Sequence, residues 1–515
     1  MVIKVSLLVV FFCITIGVGI YFRKRNTDVN SFVLGGRSVG PWLSAFAYGT
    51  SYFSAVVFVG YAGQFGWKFG ISAVWIGLGN AFIGSLLAWA VLGRHTRVMT
   101  RHLGSSTMPQ FFGLRYGSNG LKLGASAITF IFLVPYTASL YNGLSRLFAM
   151  AFEVDFTVCI IAMALLTCVY VIAGGYIATA VNDFIQGIIM IIGIITVILA
   201  VLRVNGGFLG SLDALARVSD PSVSSTPGVF ASFFGPDPVS LLGVVLLTSV
   251  GTWGLPQMVQ KFYAIKSEKS ISKGMVISTV FAIVISGGCY FLGSFGRLFS
   301  DRVDVAAEGF DAIIPAMLSG FSPLLIGIVV MVVLAASIST LAALVMTSAS
   351  TLTLDFINGN FVKTMSEKTQ LTTIRVLIAF FVLISTIIAV IQYKMGLFFI
   401  AQLMGISWGA LAGSFLAPFL YGLYWKRATK EAAWASFAFG TLFMIANTLF
   451  RSSFPTILQS PINSGAFTML VGLIIVPVVS LLTKAPDKKT VEAIFSCYDN
   501  QITVSVKESL GVGTE

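Results

Sequence analysis

Two short runs of small and hydroxyl residues, each inside a long apolar segment, carry oxygen atoms from which a cation could be bound. In Ala335-Ala336-Ser337-Ile338-Ser339-Thr340-Leu341-Ala342-Ala343, Ser339 and Thr340 lie one helical turn after Ala336. The Ala336 carbonyl and the two hydroxyls therefore converge on one side of a helix. In Ala47-Tyr48-Gly49-Thr50-Ser51-Tyr52-Phe53-Ser54, a glycine sits among hydroxyl residues at mid-span depth. Such a stretch can unwind, freeing carbonyls for a cation and turning hydroxyls toward a cavity. Two such carbonyls and the three oxygens of the first run make about five oxygen ligands, a set that suits a hard, redox-inert cation such as sodium. Taken singly, the runs have plainer readings: hydroxyls bonded back to the preceding turn, or a small-residue packing face.

A third run, Ser249-Val250-Gly251-Thr252-Trp253-Gly254-Leu255-Pro256-Gln257, interrupts another apolar segment with two glycines and a proline. Proline removes a donor and clashes with the preceding turn, so a kink or break is expected, with Trp253 and Gln257 free to line a cavity. Asp183 is the main candidate for a carboxylate within a span. Such groups are rare there and usually functional, although a place near the span's end also allows simple hydration or helix capping. No His, Asp and Glu cluster suggests an enzyme. The two histidines, His95 and His102, fall in a basic loop and read as solvated. The five cysteines have neither metal nor redox spacing.

These residues need elements that can stand in lipid. Of the 515 residues, 57% are hydrophobic and 10% charged, and the mean hydropathy is +0.92. Such a chain cannot face water on all sides. Apolar runs of ~20 residues require helices, which satisfy their own backbone in lipid; a barrel would show short alternating strands. About 13 spans are expected, at 2–22, 39–65, 70–93, 122–151, 156–174, 178–203, 239–262, 272–298, 322–350, 369–392, 396–424, 431–451 and 463–483. The run Val5–Phe22 is too long for a signal peptide's apolar core and reads as a retained first helix. Ser106–Tyr116 reads as a short surface helix, and Asp304–Leu318 as a second. With the N-terminus outside, roughly 23 of the 32 basic residues fall on inner loops, among them Arg23 to Arg25, Arg94, Arg97, Arg101, Lys261 and Lys266. The outer loops hold acids such as Asp213, Asp220 and Asp311. The net charge of +12 thus predicts an N-out, C-in topology rather than a nucleic-acid partner. The two interrupted spans each open a group of five, and five is odd, so the groups have opposite orientation. That spacing predicts an inverted repeat with its site at the bilayer midplane. The expected organisation is 1–38, a first helix and inner loop; 39–203, the first repeat; 204–238, an outer loop; 239–424, the second repeat; 425–483, two further helices; and 484–515, a polar cytoplasmic tail.

At this point the chain resembles the sodium:solute symporter family over most of its length. Phe32-Val33-Leu34-Gly35-Gly36-Arg37 looks like that family's opening loop. Ala173-Gly174-Gly175-Tyr176 with Asp183-Phe184-Ile185-Gln186 is similar to its first signature. Ala335 to Leu341 looks like its sodium-helix motif, and Tyr424-Trp425-Lys426-Arg427-Ala428-Thr429 is similar to its late signature, departing at Glu431-Ala432. The resemblance implies an all-α, five-plus-five inverted-repeat core of the leucine-transporter kind, working by alternating access. It also implies a sodium site of the Thr50, Phe53 and Ala336 carbonyls with the Ser339 and Thr340 hydroxyls. Asp183 matches the acid of a second sodium site found in some members. Its hydroxyl partners are replaced here by Ala342 and Ala343, so one sodium per cycle is expected. Proline carriers place an acid where this chain has Tyr52, which argues against proline as solute. The arginine that sialic-acid carriers place near Pro135–Tyr136 is absent.

The expected solute cavity is lined by Tyr52, Ser54, Trp75, Tyr136, Trp253 and Gln257, which together offer aromatic faces, hydroxyls and an amide without a fixed charge. A zwitterionic amino acid or a small organic acid fits, its carboxylate held at a half-helix N-terminus. Uptake of a sugar, polyol or vitamin, a channel and a sensor are the competing readings. The expected function is sodium-coupled symport of a small solute across the cell membrane, without catalysis.

Overall fold

The computed structural model describes residues 2–22, 28–204, 206–395 and 399–498. The basic run 23–25, the start of the expected span 396–424 and residues 499–515 of the expected tail lie outside the described residues. Among the described residues the chain is helical, with isolated bridges such as Val39 to Ile265 and no strand. Ten helices among the described residues are long and apolar enough to cross a membrane, or eleven if the bent pair Pro238–Gly254 and Pro256–Tyr263 forms one span.

In chain order the helices are α1 (Val2–Phe22), α2 (Pro41–Tyr52), α3 (56–69), α4 (70–102), α5 (Asn119–Phe152), α6 (Phe156–Val204), α7 (Pro238–Gly254), α8 (Pro256–Tyr263) and α9 (Glu268–Gly293). They continue as α10 (Pro323–Ile357), α11 (Glu367–Met395), α12 (Ile400–Tyr424), α13 (Lys430–Leu449), α14 (Pro461–Leu482) and α15 (Lys488–Phe495).

Both expected interruptions are real, and each has a local cause. Pro41 opens α2 at its first position, where a missing N–H costs nothing. The helix stops at Phe53, whose backbone is extended (φ −107, ψ 106) and whose N–H closes the last turn on the Gly49 carbonyl at 3.1 Å. Ser54 then starts α3: its Oγ accepts from the Val56 N–H at 3.3 Å, and its carbonyl accepts from Val57 and Phe58. Between α7 and α8, Pro256 forces Leu255 into extended backbone (φ −86, ψ 120), and the two helices meet at 47°. A third break divides α6 at Gly175 (φ 60, ψ −173), a region essentially reserved for glycine.

Glycines bring the helices into close contact. A Cβ on Gly66 of α3 would lie 1.9 Å from the Gly293 carbonyl oxygen of α9, and one on Gly77 of α4 would lie 2.7 Å from the Gly287 Cα. Such small-residue faces are how helices associate in lipid. α10 and α12 are the most enclosed of the long helices, whereas α1 and α11 turn most of their apolar side chains outward.

Some expected surface features are partly buried. The helix Met108–Arg115 buries one face, where Arg115 donates to the carbonyls of Gly422 (2.8 Å) and Trp425 (2.9 Å), and keeps Leu114 exposed. Asp311 is buried and accepts from the Ile400 N–H at 3.1 Å. His95 is half-buried, its Nδ1 2.8 Å from the Tyr424 hydroxyl, whereas His102 is exposed, as expected, and meets the Ala493 carbonyl at 3.0 Å. The second contact shows that the start of the tail folds back as α15, burying Ile494 and Phe495.

Candidate functional site

The end of α2 decides what the site can do. The last four carbonyls of any helix lack partners within it, and they carry the negative end of its dipole. Here Gly49 serves the Phe53 N–H, while the Thr50 and Ser51 carbonyls face α10. Thr340 Oγ1 lies 3.1 Å from the Thr50 oxygen, 3.4 Å from the Ser51 oxygen and 3.0 Å from the Ala336 oxygen. A hydroxyl has one proton to give, so three carbonyl acceptors crowd one donor. Ser339 adds a hydroxyl bonded to Thr50 Oγ1 at 2.8 Å. All of these residues are buried. The result is an oxygen-rich spot of neutral groups in an apolar protein, with more acceptors than protons around Thr340.

Four of the five expected sodium ligands, Thr50, Ala336, Ser339 and Thr340, are thus brought together. Phe53 sits in the break itself, buried, and none of the described contacts joins it to the hydroxyl pair. Ser51, not among the expected ligands, contributes a carbonyl to the cluster.

Asp183 is buried in the neighbourhood of Ser339, and neither carboxylate oxygen has a hydrogen-bond partner among the described residues. The Lys261 ammonium is 3.9 Å from the carboxylate. Lys261 was expected in a solvated inner loop. It instead belongs to α8, is buried, and lies over the Tyr176 ring at 5.3 Å. The break before Pro256 is the reason: it lets α8 continue inward among its neighbours, carrying the lysine under the bundle. A charge at the end of an apolar run looks like a loop residue unless the run is known to bend.

The expected solute-lining residues divide. Tyr52 and Tyr136 are buried on either side of Trp408, with ring centroids 6.1 Å and 5.9 Å from it. Tyr52 also stacks on Phe53 at 4.3 Å and gives its hydroxyl to the Thr248 carbonyl of α7. Gln257 is buried in the first turn of α8. The Tyr136 hydroxyl, Trp408 Nε1 and Gln257 Oε1 are buried without a hydrogen-bond partner among the described residues. Buried polar atoms are ordinarily satisfied, so each of these three has room for one further hydrogen bond. Trp408 escaped the sequence reading because α12 has no break or charge to draw attention to it.

Three other residues do different work. Ser54 caps α3. Trp253 is half-buried and donates to the Ile83 carbonyl of α4 at 3.1 Å. Trp75 is stacked edge-on against Phe233 at 4.8 Å and bonded to that residue's carbonyl at 2.9 Å. It secures the loop between α6 and α7.

This geometry has close counterparts. Relatives from Staphylococcus aureus strains JH9 and NCTC 8325 / PS 47, each named a sodium/proline symporter, are 29% identical over 450 residues, covering 85% of this chain and 84% of theirs. The solved structure of a Na+-coupled sialic acid symporter, in a substrate-bound outward-open state, superposes with a TM-score of 0.71 at 16% identity, covering 94% of this chain and 99% of that one. A nucleobase-cation-symport-1 family transporter, closed around bromovinylhydantoin, superposes at 0.51 with 12% identity, covering 90% of this chain and 97% of the other. These likenesses show the fold, a five-plus-five inverted-repeat core in which α2–α3 and α7–α8 are the broken helices. The family model described as "Sodium:solute symporter family" matches residues 32–440, and with that span on a polytopic helical chain the protein belongs to the sodium:solute symporter family.

Proposed function

We propose that this protein imports a small amino acid or organic acid together with one sodium ion, by alternating access across the cell membrane. The observation that carries this reading is the crowd of carbonyl oxygens around Thr340, where α2 ends against α10. Sodium held there ties the broken helix to α10 and favours the state that accepts solute; parting the two releases the ion. The supporting ligand set is the carbonyls of Thr50, Phe53 and Ala336 with the hydroxyls of Ser339 and Thr340.

One ion fits better than two. The carboxylate that would hold a second, Asp183, is already balanced by Lys261. That pair also offers a physical link between the two cargoes. Lys261 rides on α8, whose first turn carries Gln257, and Asp183 lies near Ser339 of the sodium cluster. Displacing α8 as solute binds would move the cation that balances Asp183.

The solute class follows from the unpaired Tyr136 hydroxyl, Trp408 indole and Gln257 amide, which are neutral, polar and set among aromatic rings. The start of α8 supplies the positive end of a helix dipole for a carboxylate. The names of the Staphylococcus aureus relatives favour an amino acid, while Tyr52 in place of an acid favours one other than proline. Thirteen spans with the N-terminus outside, repeats at 39–203 and 239–424, and a cytoplasmic tail complete the proposal.

The test is a thermal-shift screen of purified protein against amino acids, organic acids and sugars, in sodium and in potassium. A ligand of the native state raises its stability. An amino or organic acid that stabilises only with sodium supports the reading; a sugar as sole stabiliser, or shifts indifferent to the cation, overturns it.

A further inference from the structure

A polar cavity lies on the face that carries the basic loops, away from the sodium cluster. Its volume is about 210 Å³, and Gly36, Arg37, Arg97, Arg101, Tyr263, Ile265 and Lys266 line it. Four of these seven residues are cationic. Among the described residues none of the four is within ion-pair distance of a carboxylate. The acids nearby are engaged elsewhere: Glu268 pairs with Arg94 at 2.8 Å, and the buried Asp355 accepts from the Thr107 hydroxyl.

The cations are not equivalent. Arg97, over nine-tenths buried, is aimed by the carbonyls of Ile265 (2.8 Å) and Lys266 (2.6 Å). Arg37 is aimed by the Ser105 carbonyl at 2.5 Å and by Thr100. Both guanidiniums are therefore held in place by neutral groups that leave their charge uncompensated. Burial pulls the Arg37 guanidinium below its ordinary value; Tyr263 opposes this, and the charges of Arg101 and Arg97 add to it. Arg101 and Lys266 are exposed at the rim, and among the described residues their side chains donate no hydrogen bond. The Tyr263 hydroxyl, on a fully buried residue of the cavity wall, has no partner either.

We infer that this cavity binds a phosphate group, its oxygens taken by the guanidiniums of Arg37, Arg97 and Arg101 and the Lys266 ammonium. Like charges held together at low dielectric repel, and a dianion offsets that cost while filling the unpaired donors. Planar guanidiniums match phosphate geometry. The group could belong to a free phosphate or to an anionic lipid headgroup, since the cavity opens where a bilayer's charged surface would lie. It also joins the loop before α2 to the segment after α8, which already share backbone bonds between Val39 and both Ala264 (3.1 Å) and Lys266 (2.9 Å). Occupancy would brace the two broken helices against parting at this end.

The experiment uses full-length protein, delipidated in neutral detergent, with R101Q/K266Q as the variant because both side chains are at the rim and neither belongs to the transport site. Melting is followed on adding potassium phosphate against potassium chloride of equal ionic strength, and on adding phosphatidylglycerol against phosphatidylcholine micelles. A rise of about 2 °C or more with phosphate, its midpoint weakened at least about tenfold in the variant, assigns the site to the free anion. A rise with phosphatidylglycerol alone, lost in the variant, assigns it to a lipid headgroup. No rise with either, or a rise the variant keeps, overturns the proposal. An unchanged melting temperature of the variant without additive shows that it is folded.

Discussion

Thr340 and Lys261 represent two ways a single residue can matter in a membrane core. Thr340 matters because one proton faces three carbonyls, a surplus of acceptors that a cation would use. The motif around it was legible in sequence, since small and hydroxyl residues at one-turn spacing have few uses in an apolar helix. Lys261 was not legible, because its burial depends on the bend at Pro256. Removing either member of the Asp183–Lys261 pair leaves a buried charge alone, which typically costs 3–5 kcal/mol. Lys261→Gln and Asp183→Asn should each lower the melting temperature clearly, while the double variant should lose less than the sum of the two. Equal, additive losses in a double-mutant cycle would show that the 3.9 Å pair carries no coupling.

Among the elements, the broken helices were foreseeable from Gly49 and from Gly251, Gly254 and Pro256, because glycine and proline weaken helices for stated steric reasons. What the sequence could not tell was which glycines pack. Gly66 touches backbone, so Gly66→Ala forces α3 from α9 and should cost about 1–3 kcal/mol. Gly17 of α1 has open space around it, so Gly17→Ala should be neutral or slightly stabilising. Thermal melts of the two variants side by side make the comparison; equal effects would contradict the packing described. The loop after α6 is fastened by a different device, the Arg297–Asp220 pair at 2.9 Å. Hydrogen bonds from Ser222 and Arg297 hold the Asp220 carboxyl below its ordinary value. A lowered folded-state pKa gives stability that is present above the unfolded value of about 4 and is lost as the pH falls below it. Wild-type melting temperature should therefore fall further than that of Asp220→Asn on acidification below about pH 4, and parallel curves would refute the pair's role.

For the whole molecule, composition alone required a helical bundle in lipid, and two interruptions opening groups of five pointed to an inverted repeat. The expected solute-lining set was only partly brought together. Tyr136 packs against Trp408, from a helix far along the chain, whereas Trp75 and Trp253 bind neighbouring carbonyls instead. Aromatic residues have many uses, and residue type alone does not tell an aromatic lining a cavity from one fastening a loop.

The central claim is that sodium binds between the end of α2 and the middle of α10. Its most direct measurement is the sodium dependence of solute uptake by proteoliposomes carrying Ser339→Ala with Thr340→Ala. The sodium concentration for half-maximal uptake should rise at least about tenfold, roughly 1.4 kcal/mol of lost binding, with transport persisting at high sodium. An unchanged sodium dependence in a variant that still folds and transports would contradict the account.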